Sequence, residues 1–372
     1  MNSIIKYIDD YGDLSIYQKR VNDIDILIFS LIPYLNFKNT FPKNDSITLY
    51  DLWEKAKDIN KHETSFSAKI AYKVIDKMYY KKRYKDLLLK NYVYHLAEDT
   101  QFGAITIDTI NHKYVAFEGT DSTIWGWKEN FKLTYTYPTE SQELAAKYLN
   151  NAINLFGPNV TVCGHSKGGN LALVASMNTS FVKKSKIKKI YSFDGPGLKD
   201  EEFNSSNYLL VKRKLVNIIP NLSIVGILLN QENLTVIKSN GIGIFQHNPL
   251  TWIINKDRFM LAKQDKLSKK LDVSISKWLA KYNFTEREEV IEGVFKIFSD
   301  ADIKTFGDIK SQKFEAVKRI IKSSKELSHE TKNVILDCLK VFLAGFSKEI
   351  FDDGINSIEN ILGLNKEKRK VK

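Results

Sequence analysis

The segment Val160-Thr161-Val162-Cys163-Gly164-His165-Ser166-Lys167-Gly168-Gly169 constrains this chain more than any other. A short apolar run of strand-forming residues enters it, and a helix-like stretch, residues 170–176, leaves it. A strand that passes through Gly-x-Ser-x-Gly straight into a helix must turn sharply, and side chains on the flanking residues would clash. The serine then projects from the sheet's edge at a helix N-terminus. The next backbone N–H, that of Lys167, faces the same space, where it can stabilise an oxyanion. The pattern therefore predicts an elbow that presents Ser166 as a nucleophile; the plainer alternative is a Gly-rich turn with a solvated serine. A phosphate-binding loop is excluded by spacing, because Lys167 stands in the wrong place for one.

The texture of the chain changes around this motif. Residues 1–95 read as mainly helical, with apolar positions recurring over 14–22, 51–60 and 65–79. The apolar run 26–35 is too short to span a bilayer and contains Pro33, so it reads as a buried helix or loop. From about residue 100 the period shortens. Gly103-Ala104-Ile105-Thr106-Ile107 and Tyr114-Val115-Ala116-Phe117 read as strands joined by the turn-like Asn111-His112-Lys113. A helix over 143–156 stops at Gly157-Pro158, and further strands are predicted at 190–193, 215–219 and 234–238. Strands and helices alternating at this length predict an α/β sheet with helices on both faces. After Trp252 the strand signal disappears. Thr285 and Glu288 read as a capping box ahead of Val290, Ile291, Val294, Phe295 and Phe298 at helical spacing. The organisation predicted is a helical region 1–95, an α/β core 96–257, and a helical subdomain 258–372 ending in a basic tail.

Composition narrows the partners. The 372 residues carry 56 Lys plus Arg against 44 Asp plus Glu, a net charge of +12. That permits an anionic partner without requiring one. The run of lysines between 183 and 189 reads as a solvated edge, with peripheral contact to an anionic membrane as the other reading. Nucleic-acid binding is disfavoured, since no recognised module and no aromatic-interleaved basic stripe is present. Cys163 and Cys338 are too few for a disulfide framework or a structural zinc site. The first residues lack a basic stretch followed by an apolar core, so the expectation is a cytoplasmic protein.

The motif segments resemble a known family. Val115-Ala116-Phe117-Glu118-Gly119-Thr120-Asp121-Ser122 looks like the strand-plus-Gly-Thr segment of class 3 lipases, and Gly164-His165-Ser166-Lys167-Gly168-Gly169 looks like their elbow with Lys in place of Leu. With Tyr191-Ser192-Phe193-Asp194-Gly195-Pro196-Gly197 and Gln246-His247-Asn248-Pro249, the pattern is similar to a bacterial lipase-like family of α/β-hydrolases. The resemblance covers residues 1–255 and says little about the helical C-terminus.

It implies an α/β-hydrolase core and a catalytic Ser, acid, His order. Thr120, the residue after Gly in Gly-Thr, would donate an oxyanion N–H together with Lys167. Of six histidines, His62, His95 and His112 precede the nucleophile, His165 lies within the elbow and reads as packing, and His329 has a surface-like context. His247 is left, in a loop after the last predicted strand, where a base is expected. The acid is less plain. Class 3 lipases usually take it one strand beyond Asp194, yet the stretch 217–223 holds no carboxylate. Either Asp194, at the end of the strand after the elbow, orients an imidazole beside it, or an Asn or a water does, or the triad is incomplete; the plain alternative for Asp194 is a cap on the Gly-Pro-Gly turn. Asp121 is a candidate for holding the oxyanion loop. Lys167 reads as a solvated first-turn lysine or as an attractor for an anionic acyl group.

These residues predict a serine hydrolase acting on a small-molecule ester or lipid, lipase- or esterase-like. Alternatives are a phospholipase or acyltransferase, and a hydrolase fold used only for binding. The triad itself supplies nucleophile, base and charge stabilisation, so no metal or organic cofactor is expected.

Overall fold

The computed structural model describes residues 3–300 apart from 44, 63–64, 97–99 and 121–123. Eight strands lie side by side in chain order: β1 (Ile47–Thr48), β2 (Leu88–Leu96), β3 (Gln101–Asp108), β4 (His112–Phe117), β5 (Asn159–His165), β6 (Ile187–Phe193), β7 (Leu215–Pro220) and β8 (Leu234–Ile237). Pairing is antiparallel from β1 to β4 and parallel from β4 to β8. The chain thus has the α/β-hydrolase class of architecture that its motifs imply.

Successive residues of a strand face opposite sides, and the two faces are covered by different parts of the chain. Tyr114 and Ala116 of β4 join a core built with the N-terminal helices α1 (Ile4–Tyr11), α2 (Asp23–Leu31), α3 (Leu49–Lys61) and α4 (Phe66–Met78). Val115 and Phe117 join the core on the other face. That face carries the connections between parallel strands: α5 (Ile124–Lys132) and α6 (Glu140–Ala152) before β5, α7 (Lys167–Asn178) and α8 (Phe181–Lys184) before β6, and α9 (Asp200–Phe203) and α10 (Ser206–Val211) before β7. With strands in sequential order, right-handed crossovers put their main helices α6, α7 and α10 on one side, which leaves the other to the N-terminal segment.

Four sequence expectations change. Residues 14–22 are not helical. The buried Arg83 guanidinium gathers the carbonyls of Lys19 (2.7 Å) and Arg20 (3.1 Å) while binding the Asp25 carboxylate, so those carbonyls serve it rather than a helix. The helix begins at Asp23, behind a capping box between Asn22 and Asp25. The last part of the region read as helical, 88–96, is β2, whose Tyr92-Val93-Tyr94 run suits a strand paired with β3. Beyond Trp252 a small hairpin remains, β9 (Ile254–Asn255) with β10 (Arg258–Phe259), turning through Lys256 at φ 56°.

Two C-terminal helices follow, α11 (Lys266–Lys281) and α12 (Phe284–Asp300). The capping box of α12 joins Asn283 to Glu286, two residues ahead of the predicted one: Asn283 Oδ1 accepts from the Glu286 N–H, and Glu286 Oε2 from the Asn283 N–H. The rest of the predicted helical subdomain, residues 301–372, with His329, Cys338 and the basic tail, lies outside the described residues. Among the described residues no helix is long and apolar enough to cross a membrane.

Candidate active site

Parallel register sets the site. Phe117 of β4 lies opposite Gly164 of β5, and His165 of β5 lies opposite Phe193 of β6. The chain therefore leaves β5 at Ser166 and β6 at Asp194 on the same level, one strand spacing apart, at the carboxyl ends where open α/β sheets hold their ligands. The ladder carries on into both residues, since the Ser166 N–H donates to the Phe193 carbonyl (2.9 Å) and the Asp194 N–H to the Ile218 carbonyl (2.8 Å).

Ser166 has φ 59° and ψ −133°, a backbone conformation that a non-glycine residue adopts only where its surroundings enforce it. They do so here: a Cβ on Gly164 would stand 2.1 Å from the carbonyl carbon of Gly168, so strand and helix touch backbone to backbone. Lys167 opens α7, and its N–H is one of those at a helix start with no partner inside the helix.

The structure brings two of the predicted residues together directly. His247 ends a short 3-10 turn, Gly243–His247, and its Nδ1 lies 2.6 Å from Asp194 Oδ2. The other carboxylate oxygen accepts from the Ser223 hydroxyl (2.5 Å) and the Gly226 N–H (3.2 Å). Asp194 is fully buried, whereas the His247 side chain is 20% exposed. Ser223 comes from the stretch without a carboxylate, and it supplies a donor to Asp194 instead. The His247 turn is pinned from several sides. The Trp252 indole donates to the Gln246 carbonyl (2.7 Å), and Gln246 Oε1 accepts from the Leu222 N–H (2.9 Å).

His165, read from sequence as packing, does more. Its Nε2 is 3.0 Å from the carbonyl of His247, and its Nδ1 is 3.0 Å from the Tyr34 hydroxyl. Burial, and then the neighbouring His247, push its pKa well below the ordinary imidazole value. A neutral ring that donates through Nε2 accepts the Tyr34 hydroxyl at Nδ1, so both bonds belong to one tautomer.

Thr120 is buried, and it follows a glycine pressed against Ser166. A Cβ on Gly119 would come within 2.1 Å of the Tyr34 hydroxyl, 2.4 Å of the His165 carbonyl and 3.0 Å of Ser166 Cβ. The Thr120 hydroxyl accepts from Asn130 Nδ2 at 3.4 Å, and its carbonyl accepts from the Ser67 hydroxyl at 3.4 Å. Asp121 lies outside the described residues.

The solvated reading of Lys167 is overturned. Its side chain is 2% exposed, and Nζ donates to Glu129 Oε2 (2.7 Å) and to the Gln101 carbonyl (2.7 Å). The cause lies 38 residues away in sequence: α5 brings Glu129 over the first turn of α7, and Ser141 donates to the second Glu129 oxygen (3.0 Å). Adjacent residues of α5, Glu129 and Asn130, thus hold Lys167 and Thr120 respectively. The C-terminal helices brace both sides of this arrangement. Phe295 of α12 packs on Phe131 of α5 (ring centroids 6.0 Å apart), and Ser268 of α11 donates to the Ser223 carbonyl (2.9 Å).

The remaining described histidines lie elsewhere. His62 ends α3, His95 is in β2, and His112 of β4 bonds the Thr161 hydroxyl (2.8 Å). The residues that sequence reasoning missed are Glu129, Asn130, Ser223 and Tyr34.

Among solved structures, the chain is similar to one described as the crystal structure of M37 lipase, with 18% identity and a TM-score of 0.35, over 56% of this chain and 70% of that one. No curated protein matches it. The model of the Mbeg1-like family matches residues 78–296, more than half of the sequence, from the end of α4 into α12 and across Thr120, Ser166, Asp194 and His247. The chain belongs to the Mbeg1-like family, a lipase-like family of α/β-hydrolases.

Proposed function

We propose that the protein is a serine hydrolase of carboxylic esters, acting through an acyl-enzyme. The observation that carries this reading is the 2.6 Å contact of His247 Nδ1 with a buried Asp194, one strand from a serine in the elbow conformation. Ser166 Oγ attacks the ester carbonyl while His247 Nε2 takes its proton. Asp194 fixes the tautomer in which Nε2 carries the basic lone pair and stabilises the imidazolium that results. The N–H groups of Thr120 and Lys167 receive the negative charge on the carbonyl oxygen. The imidazolium then protonates the departing alkoxide, and water, activated by the same histidine, releases the acid from Ser166. Substrates are small esters or lipids whose acyl group reaches a largely buried serine.

The test is labelling by a fluorophosphonate probe, which reacts with an activated serine. Wild type is expected to label, while Ser166→Ala and His247→Ala do not. Folded wild-type protein that stays unlabelled, and that turns over no short-chain ester, would refute the reading in favour of a binding role.

A further inference from the structure

At the end of the sheet opposite Ser166 and Asp194, the connections entering β4 to β7 form one exposed edge. Ile110, in the turn before β4, is 77% exposed; Phe156, before β5, is 99% exposed, and Phe181, before β6, is 74% exposed. Leu155, Val182, Leu209 and Leu210 stand beside them at 40–60%. Neighbouring connections are tied together: Lys113 Nζ donates to the Ala152 carbonyl (2.8 Å), the Ser180 N–H to Asn150 Oδ1 in the last turn of α6 (3.4 Å), and Lys214 Nζ to the Lys184 carbonyl (2.7 Å).

Cations are interleaved with these apolar side chains: Lys183, Lys186, Lys188, Lys189, Arg213 and Lys214. Among the described residues none of them is in an ion pair. Lys183 and Lys214 turn their ammonium groups to neutral carbonyls, of Asn150 (2.5 Å) and Lys184 (2.7 Å). The carboxylates at that end, Asp108 and Glu232, are engaged with Lys90 (2.9 Å) and Lys212 (3.7 Å). The cations also feel one another: after burial, the charge of Lys188 is what depresses Lys214, and it acts likewise on His112.

An unspent cationic edge fits an anionic partner, and the apolar residues identify its class. Single-stranded nucleic acid gains from aromatic rings on which bases stack, whereas Ile110, Leu155, Val182 and Leu209 offer no such surface. Hydrocarbon rewards aliphatic and aromatic side chains alike, and anionic headgroups draw lysines to the same plane. We infer that this edge docks the protein on an anionic phospholipid surface, with Phe156 and Phe181 entering the acyl boundary and the lysines at phosphate level. Strands of this length span about 20 Å, so docking leaves Ser166 on the far side of the sheet from the lipid.

Sedimentation of the full-length protein with vesicles tests this. Vesicles of phosphatidylcholine containing about one-third phosphatidylserine are expected to bind it, those of phosphatidylcholine alone are not, and added salt should weaken binding. Lys186→Glu/Lys188→Glu/Lys189→Glu should lose at least about tenfold in binding. Phe156→Ser/Phe181→Ser should lose severalfold while keeping the salt dependence, and its circular dichroism should match wild type because both rings are exposed. Phe156→Trp should show a blue-shifted emission on anionic vesicles only. Failure to sediment with anionic vesicles overturns the inference. So does binding unaffected by either set of changes, or lysine-dependent binding to an RNA oligonucleotide or acidic polypeptide without binding to vesicles.

Discussion

Lys167 Nζ stands 2.7 Å from Glu129 Oε2 and ties the first residue of the elbow helix to the helix that follows Thr120. The lysine side chain is 2% exposed and that of the glutamate 16%, so the pair has little water to fall back on. Removing one partner of a buried pair costs far more than removing both. Glu129→Gln is therefore expected to lower unfolding stability by about 3–5 kcal/mol, and Lys167→Met/Glu129→Leu by much less. Urea denaturation of the three proteins checks this. Equal losses for the single and double variants would mean that the pair contributes no such coupling.

Asp194 is held by Ser223 and Gly226 on one oxygen and meets His247 with the other, so its two kinds of partner can be separated. Ser223→Ala removes one bond to a charged group but leaves the contact with His247. On the proposed mechanism, kcat for a soluble ester should fall about tenfold, as expected for a charge-assisted bond of about 1.5 kcal/mol, with KM little changed. Asp194→Asn forfeits the tautomer, and a fall of about 10⁴-fold in kcat is expected. Steady-state kinetics decide it, and a Ser223 variant as damaged as the Asp194 variant would contradict this division of roles.

His165 makes stability depend on pH in a defined direction. Burial, and then His247, lower its pKa in the fold, while the unfolded chain keeps the ordinary value of 6.5. Below 6.5 the unfolded state binds a proton that the folded state refuses. The associated stability is therefore present above that pH and drains away as pH falls toward the folded value. His112 is shifted the same way, by burial and then by Lys188, and adds to the slope. His165→Gln, which keeps a donor for the His247 carbonyl, should flatten the decline between about pH 7 and pH 5 by up to one proton. Denaturation midpoints across that range measure it, and an unchanged slope would count against a buried neutral His165.

The parts of the fold that could be read in the sequence are those dictated by local sterics. Gly164 and Gly168 are required wherever a strand turns straight into a helix, so the elbow and its flanking elements are visible in ten residues. The unbroken apolar run Tyr114-Val115-Ala116-Phe117 reads as a strand, and its side chains go alternately to the two cores. Contacts between distant segments are not written locally. A first-turn lysine looks solvated until α5 lays Glu129 over it, and residues 14–22 look helical until Arg83, some 60 residues on, claims their carbonyls. His165 reads as packing, yet its two bonds reach Tyr34 and the backbone of His247, which only the packed sheet brings close.

The most direct measurement is rapid-quench mass spectrometry during turnover of a p-nitrophenyl ester. The account predicts a burst of p-nitrophenol and an acyl group on the peptide containing Ser166, both absent in Ser166→Ala. Ester turnover with no covalent adduct, or an adduct that persists in Ser166→Ala, would contradict it.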